Sequence, residues 1–291
     1  MSKKHEQAMT DLHRLLDTQD FNSIEEVKAF MNQFIGQSVP SFPKEALSPQ
    51  EQAQDLVYHA HTLPAQESRA TIEKALLIDD ECIEAYEFLA RFERIPQIAS
   101  VFFEKGIAIG RKRFGGEYLK KHKGMFWGLH ETRPFMRCLH SYADCLNAMK
   151  RLPEAVAILE EMIALNPGDN QGVRDQLLLF LIELDERKKF ERYAKMYEDD
   201  GMAYATYTRA LFAFLTTGES EESRKALQRA IKSNRFVPKK LLAKKPVTTV
   251  PDYYSMGNAN EADYYVVQAH RTWKMVPGAL EWLQKHSGKK K

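Results

Sequence analysis

Arg137, His140, Arg174 and Arg209 are the side chains whose chemistry suits a binding site. A guanidinium presents N–H donors in a planar fork that matches a carboxylate bidentately, and an imidazole adds a further donor. No set of residues has the spacing of a catalytic or metal constellation. His130-Glu131-Thr132-Arg133-Pro134 lacks the second histidine that zinc binding on one helical face requires. Gly106, Gly110, Gly115 and Gly116 follow no strand and lack the GK[ST] ending of a phosphate loop, and there is no GxSxG elbow. The three cysteines, Cys82, Cys138 and Cys145, have no CxxC spacing, and the last two lie on one helical face, so buried free thiols are expected. These observations predict a non-enzyme with no cofactor and no metal.

Bulk composition restricts the partners. With 44% hydrophobic and 28% charged residues the chain is able to bury a sizeable core, and 42 basic against 40 acidic side chains leave a formal charge of only +2. No global field draws it to nucleic acid or membrane, so any electrostatic preference must be local. The start MSKKHEQAMTDLHRLL has no apolar stretch of signal-peptide type, and no uncharged run approaches the roughly 18 residues of a membrane span. The expectation is no membrane insertion and a reducing compartment, most simply the cytoplasm.

The elements that must position the four side chains are helices. Residues 1–48 read as an N-terminal helical segment and connector, with Ser23 and Glu26 at capping-box spacing before the stripe Val27, Phe30, Met31 and Phe34, and with Pro40 and Pro43 keeping the connector extended. Ser48-Pro49-Gln50-Glu51 joins a cap, a proline at the first helical position and a glutamate at the third, which opens a new unit. Over residues 49–235 a period emerges. Leu139, Tyr142, Ala143 and Leu146 on one helix, then Ala155, Leu159 and Met162 on a second ending Leu165-Asn166-Pro167, match the ~34-residue tetratricopeptide pattern. The register recurs at Tyr207, Leu211, Phe214, Leu227 and Ala230, and upstream at Tyr86, Leu89 and Ala90. Small residues at Ala143 and Ala155 let the paired helices approach. Between the repeat endings at Asp80 and Pro167 the spacing exceeds two periods, and the surplus falls on residues 113–131, a basic insertion carrying Phe126 and Trp127 that is expected to project from the stack. Residues 236–291 read as an irregular connector followed by C-terminal capping helices, with Tyr264, Tyr265, Ala269 and Trp273 at helical spacing. The fold class is therefore all-α, a tetratricopeptide-like α-solenoid of about four or five helix pairs.

Asn234, the Val237-Pro238 step, Leu241-Leu242, the helix start from Gly257 to Glu261, Trp273 and the Pro277-to-Leu280 turn resemble the final region of the suppressor-of-tumorigenicity-seven family. FWGLHETRPFMR and NPGDNQGVR resemble soluble bacterial tetratricopeptide proteins of undefined activity. Together these similarities cover roughly residues 50 to 284. They imply a tetratricopeptide-like fold and carry over no reaction and no catalytic residue. The N-terminal apolar segments through which eukaryotic members associate with membranes have no counterpart here.

The repeat register gives the candidate site. Positions 2, 5, 6, 9 and 12 of each first helix face the concave groove of such a stack, which predicts that Arg137 and His140 share one concavity with Arg174 and Arg209. Two readings stay open: the arginines hold an acidic or C-terminal peptide, or Asp144 and Asp175, on the same face, neutralise them. Trp127 is either a candidate surface anchor or, the reading preferred here, a plug between two helix pairs. Glu131 and Arg133 are expected as an ion or capping pair, and Asp169 or Asn170 as a helix cap. Basic clusters at Arg111-Lys112-Arg113, Lys120 to Lys123, Lys239-Lys240, Lys244-Lys245 and Lys289 to Lys291 raise RNA association as the alternative, weighed against the neutral net charge and acidic stretches such as Glu198-Asp199-Asp200. The leading expectation is a protein-interaction scaffold whose partner is another protein or peptide; an enzyme with an unrecognised site is a distant third.

Overall fold

In the computed structural model, residues 3–40, 42 and 47–288 are described. Pro43 and Lys289 to Lys291 lie outside them. Every regular element among the described residues is a helix, and no helix there is long and apolar enough to cross a membrane. The chain forms two compact units, Met1–Gly168 and Asp169–Lys291. The boundary at residue 235 lies inside the second unit, where the C-terminal helices pack on the repeat helices before them.

The first unit opens with α1 (Lys3–Asp17) and α2 (Ile24–Asn32), followed by the pair α3 (Pro49–Ala60) and α4 (Ala65–Ile78), then α5 (Ile83–Phe92) and α6 (Pro96–Arg113). A short α7 (Gly116–His122) precedes the third pair, α8 (Arg133–Ala148) and α9 (Leu152–Leu165). The start of α3 is the capping box read from the sequence: Glu51 N donates to Ser48 Oγ (3.3 Å) and Ser48 N donates to Glu51 Oε2 (2.9 Å). Ala53, Ala60, Ala75 and Ala85, small residues where the helices must come close, are buried with Val57 and Ile72 between α3, α4 and α5. Ala143 and Ala155 are likewise wholly buried between α8 and α9.

The glycines of α6 serve packing. A Cβ on Gly110 would lie 2.2 Å from Phe135 Cδ2, and one on Gly106 would lie 3.0 Å from Cys138 Sγ, so both glycines let α6 lie against α8. The 113–131 insertion does not project. Its α7 and flanking turns fold down, burying Phe114 and Phe126 against Phe135 with ring centroids 6.0 to 6.5 Å apart. Phe126 N also donates to the Leu165 carbonyl (3.3 Å). The apolar rings at residues 114 and 126 are the physical reason: a solvated loop would leave both wet.

The second unit has two pairs, α10 (Val173–Glu183) with α11 (Arg187–Met196) and α12 (Ala203–Thr217) with α13 (Glu221–Ser233), then α14 (Val237–Leu241), α15 (Ala259–Met275) and α16 (Ala279–Ser287). Asp169 caps α10, its carboxylate accepting from Val173 N (2.8 Å) and Arg174 N (3.0 Å). α15 packs on α10, α12 and α14. Buried Glu261 joins its start to α12 by accepting from Ala203 N (2.8 Å), while Asn234 Nδ2 donates to Glu261 Oε2 (2.9 Å) and the Asn258 carbonyl (2.8 Å). Trp273 is fully buried with its indole N–H on Tyr265 Oη (2.7 Å).

Candidate functional site

In the first unit the groove-facing positions of α3, α5 and α8 are polar, and α1 runs across all three. Arg137 on α8 donates from Nη1 to Glu6 Oε1 of α1 and from Nη2 to Glu84 Oε2 of α5, both at 2.8 Å. Glu84 also accepts from Gln54 Nε2 of α3 (2.7 Å) and pairs with Lys3 of α1. Further along, Arg14 of α1 meets Glu51 (3.0 Å) and Asp55 (3.0 Å) of α3 and its own-helix Asp11 (3.0 Å), and the Thr10 and Tyr58 hydroxyls lie 3.3 Å apart. Glu87, buried on α5, accepts from Ser141 Oγ of α8 (2.9 Å). His140 is half-buried one turn beyond Arg137. Beside α1 a cavity of about 500 Å³ is lined by His13, Arg14, Glu51, Tyr58, Arg113 and His130.

These ionisable groups respond to burial and to one another. Burial alone would push the Glu84 carboxyl up, but the charges of Arg137 and Lys3 and hydrogen bonds from Lys3 and Gln54 overcome it and hold Glu84 at about 2. Arg137 loses solvation by burial, yet Glu84 and Glu6 keep it above the ordinary guanidinium range. Glu87, with weaker compensation from Arg91 and Ser141, is raised by burial. The carboxylates that neutralise Arg137 are thus Glu84 and Glu6, where the sequence suggested Asp144.

In the second unit Arg174 is held on two acids. Its Nη1 donates to Asp169 Oδ2 (2.9 Å) and its Nη2 to Asp200 Oδ2 (2.8 Å), and the guanidinium lies 5.1 Å from the Tyr197 ring centre. Asp175 does not pair with it directly. Burial pushes Asp175 up to about 7, Asp200 and Asp169 adding to the rise against Arg174 and Arg209. Arg209 is fixed on main chain, donating to the carbonyls of Asp200 (3.0 Å), Ala194 (3.3 Å) and Tyr197 at the C-terminal side of α11. Both arginines have their donors directed into their own unit.

No family model matches this sequence. The chain is 25% identical over 237 residues to suppressor of tumorigenicity 7 protein-like of Homo sapiens, an alignment covering 72% of this chain and 41% of that protein. It is 24% identical over 233 residues to the ST7 homolog of Drosophila pseudoobscura pseudoobscura, covering 72% of this chain and 43% of that protein. The chain spans about two-fifths of the length of the curated relatives it matches. It is a distant homologue of these proteins, in keeping with the resemblance seen around Asn234, Glu261 and Trp273. Among solved structures it is similar to YrrB, described as a TPR protein with an unusual peptide-binding site, at a TM-score of 0.46 and 16% identity over 70% of this chain and 91% of that one.

Two sequence expectations in the insertion are corrected. Phe126, not Trp127, is the plug: Phe126 is 1% exposed, whereas Trp127 is only half-buried beneath Arg133, whose charged carbon sits 5.8 Å from the indole centre. The backbone turn sends successive side chains in different directions, and Phe126 takes the inward one. Glu131 and Arg133 do not pair; Glu131 accepts from Tyr118 Oη (2.9 Å) and Arg133 Nε donates to the Trp127 carbonyl (3.0 Å). Several cations of the basic clusters are spoken for, Arg111 and Lys112 at the end of α6 by Glu161 and Glu81 and Lys120 in the insertion by Glu117. All three cysteines are buried and free, Cys138 donating weakly to the Phe103 carbonyl (3.6 Å).

Sequence reasoning missed Glu6, Glu84 and Arg14. The repeat register does place Glu84 on a groove-facing position of α5, so that half of the pair was legible. Glu6 and Arg14 were not, because nothing local says that an N-terminal helix lies on a face built much later in the chain.

Proposed function

We propose that the chain is a protein-interaction scaffold, without catalysis of its own, whose concave face in the first unit receives a segment of another protein. The observation that carries this reading is Arg137: it holds a carboxylate presented by a helix far away in sequence, in a groove lined by the first helices of three successive pairs. Charge restricts what fits. Glu51, Asp55, Glu84 and Glu87 line the same face, so a uniformly acidic peptide would be repelled over most of its length. The favoured segment places one carboxylate at Arg137 and basic side chains on either side of it. Arg174 and Arg209 take no part, since their donors are consumed within the second unit. The free thiols suit action in a reducing compartment, most simply the cytoplasm.

A photo-crosslinking residue in place of His140 in the full chain, irradiated in native lysate, tests the reading. A protein adduct that survives nuclease and is absent when the crosslinker replaces Lys120 supports it. Adducts lost with nuclease would transfer the function to RNA, and no adduct specific to position 140 would overturn the groove as the site.

A further inference from the structure

The face of α1 that enters the groove is a polar stripe. Lys3, Glu6, Thr10 and Arg14 follow one another at three- and four-residue spacing, one side of a helix. Each meets a groove residue of matching chemistry: Glu84 for Lys3, Arg137 for Glu6, Tyr58 for Thr10, and Glu51 with Asp55 for Arg14. The seat is thereby specific in charge and register. Its apolar anchoring is modest, since Leu12 is the one large apolar side chain of α1 that is buried, Met9, Leu15 and Leu16 being half-buried. Among the described residues between α1 and α3 there is one helix, α2, none of whose residues is buried. Each of these ion pairs has one buried end and one end partly in solvent, so salt weakens the attachment only in part, and a competitor that offers the same charges in the same register can replace it.

We propose that α1 is an exchangeable occupant of the groove, and that the partner displacing it is an amphipathic helix bearing the same stripe: a basic residue, a carboxylate one turn on, and an arginine about two turns beyond that. This rests on the scaffold reading above and specifies both its partner and its gate. Tethering makes α1 a competitor at high effective concentration, on the order of millimolar for a flexible connection. A free helix of the same sequence therefore binds the intact chain poorly and binds well once α1 has been weakened.

The test uses the full chain and a fluorescent peptide with the sequence of residues 1–20, followed by anisotropy. Substituting Lys3→Glu and Arg14→Glu together turns both basic contacts of α1 into repulsions and leaves every groove residue intact. The variant is expected to bind the peptide at least tenfold more tightly than the unmodified chain, with affinity that falls as salt rises. Equal, tight binding to both would leave the groove a helix site but sink the gate. Binding to neither, with an unchanged melting curve, would remove both the gate and the groove reading. Should the double variant fail to fold, hydrogen exchange on the unmodified chain decides: α1 amides are expected to exchange well ahead of those in α5 and faster still in high salt, and protection of α1 equal to that of α5 would overturn the proposal.

Discussion

Replacing Arg137 by methionine tests the charge arrangement at its centre. The substitution keeps an unbranched apolar stem but deprives Glu84 and Glu6 of their shared guanidinium; those carboxylates have side-chain exposures of 1% and 6%. Removing one partner of a buried pair costs about 3–5 kcal/mol. Arg137 itself keeps 20% exposure, so the lower end, about 3 kcal/mol, is expected. Over the 291 residues of the chain that is a fall in Tm of about 5 °C. The dependence on pH distinguishes a charge effect from lost packing. In the unmodified chain Glu84 sits at about 2, below its unfolded value, so its contribution is fully present above roughly pH 4.3 and is lost as pH falls toward 2. Without Arg137 only Lys3 and Gln54 oppose the desolvation of Glu84, so its carboxyl rises toward the unfolded value and the variant loses less stability than the unmodified chain as pH falls. The difference between the two proteins should be widest near pH 7 and shrink below about pH 4. Thermal denaturation followed by circular dichroism across that range reads it directly. Adding Glu84→Gln to Arg137→Met should recover much of the loss, since no bare charge is then left at that position. An unchanged Tm at pH 7, or a difference that stays constant from pH 7 to 3.5, would refute the assignment of Arg137 and Glu84 as mutually dependent.

Gly110→Ala should cost about 1–3 kcal/mol in a urea titration, because its methyl would stand 2.2 Å from the Phe135 ring and force α6 off α8; an unshifted midpoint would show that the two helices part freely. Asp175→Asn should raise Tm more at pH 8 than at pH 5. Asp175 titrates at about 7 in the folded chain, above its unfolded value, so it lowers stability as pH climbs from about 4 to 7, by up to about 4 kcal/mol, and parallel Tm profiles would exclude this. Phe126→Ala should destabilise by about 3–5 kcal/mol and Trp127→Ala by less than half as much, and the reverse order would restore Trp127 as the plug.

The parts of this structure legible in the sequence are those fixed by local rules. Ser48-Pro49-Gln50-Glu51 specified a helix start because the cap, the imino ring and the returning glutamate all act within one turn. Ala143, Ala155, Tyr207 and Leu211 announced paired helices because a close crossing admits only certain side-chain sizes at fixed spacing. Gly106 and Gly110 were rightly set aside as a phosphate loop but given no role, since their meaning depends on Phe135 and Cys138 of another helix. The groove was legible by half. Register placed Arg137 on an inward position and, though sequence reasoning missed it, fits Glu84 there too, yet the acids that neutralise Arg174 are Asp169 and Asp200, supplied by turns whose direction no periodicity encodes. The same limitation hid α1, whose partners are more than thirty residues away at their nearest.

Each unit has a helix outside its pairs lying on their first helices, and chemistry distinguishes the two cases. In the second unit α15 presses Ala262, Tyr265, Val266, Ala269 and Trp273, all wholly buried, against its neighbours. Large apolar side chains contribute about 1.5–3 kcal/mol each when fully buried, and this contribution survives salt. α15 is accordingly a permanent part of its unit. α1 offers one buried leucine, the half-buried Met9, Leu15 and Leu16, and a row of ion pairs with solvent at one end, a part of whose contribution falls with ionic strength. An attachment specific in register but modest in strength suits a surface that must be covered when idle and opened by a matching helix. The charges left on the groove when α1 leaves then set the partner: Glu84 and Arg137 have lost their counter-ions from α1 and favour a helix that supplies both.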